Sequence, residues 1–218
     1  MTWRRRGYVE PAVASDLPEW LTTLVNVLPS IDTQHLTRFA PIEGQGRHAA
    51  VLVLFDSQQD VVLIERARGE TSHSGQPAFP GGVVESFDAD AAAAALREAH
   101  EETGLDPSGV RIFGWLPDLW VPVSGFVVSP VLGYRDVPGH LGVQDPAEVS
   151  RVEHVAIDAL VEPRNRVTAV HPSGFRSPGF RVHDMLVWGF TAGVLDALLR
   201  QAGWEQPWDT QREVTIEG

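Results

Sequence analysis

Two apolar runs lying close together constrain this chain more than any other feature. His48–Phe55 (HAAVLVLF) reads as a buried strand, and Asp56–Asp60 as a polar turn into a second strand, Val61–Arg66 (VVLIER). Buried strands need covering elements, and the rest of the chain supplies candidates. The spacing of Leu17, Leu21, Leu24 and Leu28 predicts a helix over Asp16–Leu28, capped by Ser15 or Asp16 and ended by Pro29. A run of five alanines, Leu96 and a stop at Gly104 predict a second helix over Asp88–Glu102. Strand-like segments follow at Val110–Trp115, Phe126–Tyr134 and Val149–Ile157, with a weaker pair near 166–171 and 179–183 around a Gly/Pro turn. Met185–Arg200 reads as a final helix, with Asp184 at its start as a cap. Strands alternating with two or three helices indicate a mixed α/β sandwich in a single domain. On this reading 1–44 form an N-terminal arm and helix, 45–200 the domain proper and 201–218 a C-terminal tail.

Composition narrows the chemistry. The 218 residues are 43% hydrophobic and 21% charged, which suffices for a full core and resembles no disordered or fibrous class. There is no cysteine, so a disulfide scaffold, a Cys–Zn site, an iron–sulfur cluster and a thiol nucleophile are excluded. All 17 basic residues are Arg, and the lack of Lys excludes a Schiff-base lysine, a P-loop lysine and a Ser–Lys dyad. Against 29 acidic residues the net charge is −12, a field that repels polyphosphate. Nucleic acid and anionic membrane are therefore not expected partners, and a phosphorylated substrate calls for a mediating cation. No apolar run approaches the roughly 20 residues of a membrane span. The start, with Arg4–Arg6 followed by Glu10, Pro11, Asp16 and Pro18, lacks the apolar stretch of a signal peptide. The expected location is the cytoplasm.

The chemistry-bearing stretch is Arg97-Glu98-Ala99-His100-Glu101-Glu102-Thr103-Gly104-Leu105. At spacings of three and four, the carboxylates of Glu98, Glu101 and Glu102 project from one helix face, where like charges repel by a few tenths of a kcal/mol per pair. A hard divalent cation between them relieves that repulsion, because oxygen clusters are what Mg²⁺ or Mn²⁺ requires. A solvated acidic face is the plain alternative for a bare E-x-x-E-E. Context favours the site. A strand and a Phe79-Pro80-Gly81-Gly82 turn precede the helix, and R-E-x-x-E-E-x-G arises by chance with a probability on the order of one in two thousand.

Gly82 followed by this stretch resembles the signature of the Nudix hydrolases, G-x5-E-x7-R-E-U-x-E-E-x-G-U, where U is bulky and apolar. Counted from Gly82, Asp88 stands at the position of the first Glu, and eight residues rather than seven separate it from Arg97. Position U holds the small Ala99. The resemblance implies Mg²⁺- or Mn²⁺-dependent hydrolysis of nucleoside diphosphates linked to a further group, on a Nudix-type α/β/α sandwich. By position it makes Glu98 and Glu102 the main metal ligands, Glu101 a further ligand or the base, and the Gly82 carbonyl an extra ligand. Arg97 would hold a carboxylate of the motif in a bidentate ion pair. Glu148, in Asp145-Pro146-Ala147-Glu148 before a strand, sits where some members take their base from a later loop.

Upstream, residues 62–82 resemble the motif of the coenzyme A pyrophosphatase branch, L-L-T-x-R-S-x-x-L-R-x-H-x-G-Q-x-x-F-P-G-G. Arg66, His73, Gly75, Gln76 and Phe79–Gly82 fall in register, whereas Ala67, Glu70 and Thr71 replace the expected Ser, Leu and Arg. That branch also carries the extra residue after Gly-Gly. Ser124-Gly125-Phe126 with Pro130, and Leu186–Ala192, are similar to it as well, so the likeness spans roughly residues 45–200. It implies a coenzyme A-like nucleotide substrate, contacted by Arg66, Arg68, His73, Gln76 and Phe79, with 4′-phosphopantetheine and adenosine 3′,5′-bisphosphate as products. Members are often dimeric, so a homodimer is an admissible partner. Two rivals remain at this point. One is the same chemistry on NADH or ADP-ribose, suggested by the altered 67–71 segment. The other is a non-catalytic Nudix fold serving as a ligand sensor, which the intact Glu98, Glu101 and Glu102 speak against. Elsewhere, His171 and His183 read as structural, Trp188 as core, and Trp204 and Trp208 as covering either the core or a partner surface.

Overall fold

The computed structural model describes residues 4–37, 41, 42, 44, 46–67, 75–137 and 139–216. The N-terminal segment gives strand β1 (Tyr8–Val9) and three short helices, α1 (Pro11–Ala14), α2 (Thr22–Val27) and α3 (Thr33–Leu36). The continuous helix expected over Asp16–Leu28 is instead broken. Pro18 disfavours helical backbone at Leu17, so the chain restarts as a 3-10 turn at Glu19–Leu21 before α2. Ser15 is a C-cap of α1 rather than an N-cap. Leu21, Leu24 and Leu28 nonetheless share one buried face.

The two apolar runs are β2 (Arg47–Asp56) and β3 (Asp60–Arg66), joined through a turn that Asp56 caps by accepting the N–H groups of Gln58 and Asp60. After β4 (Pro77–Ala78) and β5 (Gly81–Val83) comes helix α4 (Ala91–Thr103). The sheet is completed by β6 (Arg111–Trp115), β7 (Leu119–Val121), β8 (Phe126–Arg135) and β9 (Val149–Ala156). Its strand order is β1-β6-β8-β2-β3-β4, with β5 also on β2, β7 on β8 and β9 on β3. β2 and β8 run parallel from Arg47↔Phe126 to Asp56↔Arg135, and the other pairings are antiparallel, so the sheet is mixed.

Strand alternation sorts the core into two layers. Ala50, Leu52 and Leu54 of β2 pack with Ala94, Ala95 and Ala99 of α4. Val53 and Phe55 face the other way, into a larger cluster with Leu24, Leu160 and Leu195. Each fully buried Leu or Phe here contributes roughly 1.5–3 kcal/mol. The small Ala99 lets α4 lie close on the sheet, which brings its carboxylates over β5. The chain is thus a single-domain α/β sandwich on a mixed sheet.

The larger layer holds α5 (Ile157–Val161) and a second sheet built from β10 (Arg166–Val170), β11 (Arg176–Val182) and β12 (Met185–Val187), then α6 (Gly189–Gln201) and β13 (Glu213–Thr215). Its order is β12-β11-β10-β13. The helix expected from Met185 therefore begins only at Gly189. His183 and Asp184 both adopt positive φ (47° and 63°), the conformation of a tight hairpin turn, and send Met185–Val187 back along β11. Asp184 belongs to that turn, and α6 starts at Trp188 without a side-chain cap. An apolar run this short fits strand and helix equally, and the turn decided it. Trp204 packs on Trp20 and Phe55, with ring centroids 5.7 and 6.5 Å away. Trp208 lies 4.6 Å over the guanidinium of the fully buried Arg166, whose other neighbour is Phe180 at the same distance. Among the described residues no helix is long and apolar enough to cross a membrane.

Candidate active site

Two glycines at β5 set the geometry. Gly81 has φ +151°, and a Cβ there would fall 2.3 Å from the Ala50 carbonyl oxygen, so the strand can lie this close to β2 only with glycine. Its N–H donates to Glu102 Oε2 at 2.9 Å. A Cβ on Gly82 would fall 2.5–2.6 Å from the carboxylate of Glu98. The glycine pair is therefore the floor against which α4 lays two carboxylates four residues apart. Asp90 caps the helix by accepting the N–H of Ala93 at 2.8 Å, and Gly104 ends it in the left-handed conformation, φ +72°. The Asp88–Glu102 boundary thus moves inward by three residues at its start, leaving Asp88 free for another task.

That task is holding Arg97. Nε and Nη2 of Arg97 donate to the two oxygens of Asp88 at 3.1 and 3.0 Å, a fork-to-carboxylate pair. Nη2 also donates to the Val83 carbonyl at 3.0 Å, and Nη1 to Glu98 and Glu101 at 2.9 and 3.2 Å. Arg97 thus grips Asp88 through two of its nitrogens. These bonds hold the Asp88 carboxyl below its ordinary range.

The three helix carboxylates differ in surroundings. Glu102 is 4% exposed, and burial pushes its pKa up to about 7. The negative charges of Glu98 and Glu148 add to that rise, while the Gly81 N–H and the Arg66 charge oppose it. Burial also raises Glu98, against the pull of Arg97. Glu101 points outward, its side chain 56% exposed, and meets Arg97 rather than the glycine floor. Glu148 is exposed at the end of a turn and acts electrostatically on both Glu98 and Glu102. The structure thus brings Glu98 and Glu102 to Gly81–Gly82, with Glu148 and Arg66 near enough to act on Glu102 electrostatically.

Other expected residues fall differently. Gln76 lies next to Arg66, whose N–H donates to the Gln76 carbonyl at 3.2 Å. Phe79 is only 1% exposed and packs in the larger core cluster, so it supports the strand into Gly81 and presents no surface to a substrate. Arg68 and His73 lie outside the described residues. A second group of possible metal ligands, Asp56, Asp60 and His154, brings its ligand atoms within 4.8 Å of one another at the far end of β2. Sequence reading passed over it, although Asp56 and Asp60 flank the strand turn. Asp56 is already engaged there, by the turn N–H groups, by His154 Nδ1 at 3.3 Å and by Arg135 Nη2 at 3.6 Å. Asp56 is thus already supplied with donors by its own turn and its neighbours. The glycine floor differs: Glu98, Glu102 and Glu148 outnumber the positive charge facing them, and a set of hard oxygen donors fits a divalent cation of the Mg²⁺ type.

Carboxylates from one helix over a Gly-Gly strand, with a clamped Arg beside them, make this the candidate active site. The chain belongs to the Nudix family: residues 45–176 match the NUDIX domain. It is 37% identical over 169 residues to an uncharacterized Nudix hydrolase NudL of Enterobacter sp. (strain 638), covering 72% of this chain and 83% of that protein. Against the NudL of Citrobacter koseri the identity is 34% over 196 residues, with 86% and 95% covered. Among solved structures, a Nudix hydrolase from M. smegmatis, RenU, aligns with TM-score 0.47 and 16% identity over 76% of this chain and 89% of that one. The chain is a Nudix hydrolase.

Proposed function

We propose that this hydrolase cleaves the pyrophosphate bond of coenzyme A or its derivatives, giving 4′-phosphopantetheine and adenosine 3′,5′-bisphosphate. The observation that carries the reading is continuity. The segment Arg66–Gly82, in register with the coenzyme A branch at Arg66, His73, Gly75, Gln76 and Phe79–Gly82, runs directly into the carboxylate cluster. Glu98 and Glu102 are the ligands proposed for Mg²⁺ or Mn²⁺, with the Gly82 carbonyl and Glu101 in supporting places. When bound, the metal supplies charge neutralisation of the pyrophosphate and a more acidic water.

The chain's own groups do the rest. Glu148 is the proposed base, because it is exposed, faces Glu98 and Glu102, and is free of the Arg97 clamp that engages Glu101. Arg97 keeps the Glu98 carboxylate aimed at the glycine floor and does not touch substrate. Arg66 brings positive charge beside Glu102, where a substrate phosphate needs it, and Gln76 offers polar contact next to it, with Arg68 and His73 continuing the same segment.

Incubation with coenzyme A, NADH and ADP-ribose, each with Mg²⁺ or Mn²⁺, tests this directly. Adenosine 3′,5′-bisphosphate released from coenzyme A only with metal, and lost in Glu102→Gln, is the expected result. Turnover of NADH or ADP-ribose alone refutes the substrate, and no turnover by the folded protein refutes catalysis in favour of a sensor.

A further inference from the structure

The base proposed above has to be held close to two carboxylates that repel it, and the structure shows what does the holding. Helix α4 ends at Thr103, which leaves its last carbonyls without helical partners. The segment leading to Glu148 takes two of them: the Gly142 N–H donates to the Thr103 carbonyl at 3.0 Å and the Gln144 N–H to the Glu102 carbonyl at 3.2 Å. The Gln144 side chain then lies across Gly104, where a Cβ would fall 2.8 Å from Nε2 and 3.1 Å from Cδ. Its Nε2 donates back to the Gly142 carbonyl at 3.0 Å, closing the segment on itself.

From Gln144 the chain enters a tight turn. Asp145 Oδ1 accepts the Ala147 N–H at 2.8 Å, and the Asp145 carbonyl accepts the N–H groups of Glu148 and Val149 at 3.1 and 2.9 Å. On its far side the Glu148 carbonyl accepts the Ala67 N–H at 2.7 Å. Glu148 is thus four residues from a hydrogen bond to the backbone of Glu102 itself, through a segment with little freedom to bend.

We infer that the Gln144 side chain is a positioning group: packed on Gly104 and bonded to the Gly142 carbonyl, it keeps in shape the Gly142–Gln144 segment whose backbone ties the turn carrying Glu148 to the end of the metal-binding helix, so that base and ligands keep one spacing against their mutual repulsion. The inference rests on the reading of Glu148 as the base. Gln144 is exposed, and its recorded links toward the glycine floor run through the backbone of Glu102 and the turn to Glu148.

The test is a double-mutant cycle on the full chain with Mg²⁺ and coenzyme A. Glu148→Gln lowers kcat by about 100-fold or more. Gln144→Ala lowers kcat by about tenfold through misplacement of the base, with KM unchanged. Combined, the two leave kcat at the Glu148→Gln level, because a positioning residue has nothing left to position. Gln144→Met, which keeps bulk over Gly104 but not the amide bond to Gly142, separates packing from hydrogen bonding and falls between wild type and Gln144→Ala. A Gln144→Ala effect that multiplies undiminished in the double variant, or that appears in KM alone, overturns the inference. Full activity in Glu148→Gln overturns the reading beneath it, and that outcome is visible in the single variant.

Discussion

Replacing Glu102 by Gln should make the metal-free protein more stable while abolishing its activity. Glu102 carries a pKa of about 7 in the fold against an ordinary 4.5, chiefly because it is buried. A carboxyl whose folded pKa is raised binds its proton more tightly folded than unfolded. Its ionisation therefore favours unfolding, and stability is lost as pH climbs from the unfolded value to the folded one. The difference of about 2.5 units corresponds to roughly 3 kcal/mol at full ionisation. Glutamine keeps an oxygen for the Gly81 N–H and carries no charge, so at about pH 8 the variant gains roughly 3 kcal/mol, shrinking to about 1 kcal/mol at about pH 5.5. For a chain of this size the difference between the two conditions is about 4–8 °C in Tm. Urea and thermal unfolding in chelator at both pH values measure it. A Glu102→Gln protein that is less stable than wild type at pH 8, or whose gain is the same at both pH values, would falsify the assignment of Glu102 as a buried, unneutralised charge.

Four further outcomes follow from the geometry. In wild type, saturating Mg²⁺ or Mn²⁺ raises Tm by the binding linkage, and in Glu98→Gln/Glu102→Gln it leaves Tm unmoved, as a thermal-shift titration reads. Gly82→Ala pushes a methyl group into the Glu98 carboxylate, so kcat/KM falls by roughly 100-fold while the circular dichroism spectrum is retained. Asp88→Ala leaves Arg97 without its fork partner and lowers the free energy of unfolding in urea by about 2 kcal/mol. Trp208→Ala uncovers the Arg166 guanidinium and destabilises the fold by roughly 2–3 kcal/mol, with amide protection lost first along β13 and β10.

The parts of the fold legible in the sequence are those fixed by local pattern. β2, β3 and α4 announce themselves because seven apolar residues in a row, or five alanines in a helix ending at a Gly, leave little choice of geometry. What escaped was set by distant partners. Met185–Val187 is a strand only because β11 lies beside it, and the parallel pairing of β13 on β10 joins residues more than forty positions apart. The same division holds at the site. Spacing along one helix brings Glu98 and Glu102 together, but it cannot say that Glu102 is buried and Glu101 is not, since the sheet beneath decides that. The partner of Arg97 was open in the sequence because the count from Gly82 is one residue too long. In the fold that residue is absorbed in the loop before Asp90, and Asp88, one methylene shorter than Glu, reaches the guanidinium from there. Phe79, part of a motif that ends in the site, turned out to be core.

The buried Arg166 has a consequence for how the protein is made. Its charge is answered by Asp196, by Glu205 at 3.5 Å and by the ring of Trp208, and its strand is completed on one side by residues 213–215. Until the ribosome has released that stretch, the second sheet lacks an edge and an ionised guanidinium sits uncovered in an apolar layer. The strands of the first sheet, the last of which ends at Ala156, are made earlier, but the layer that covers their second face waits on synthesis. A nascent chain stalled near residue 200 therefore lacks that edge and the partners Glu205 and Trp208, and tags or truncations at the C-terminus should be judged by what they do to folding yield.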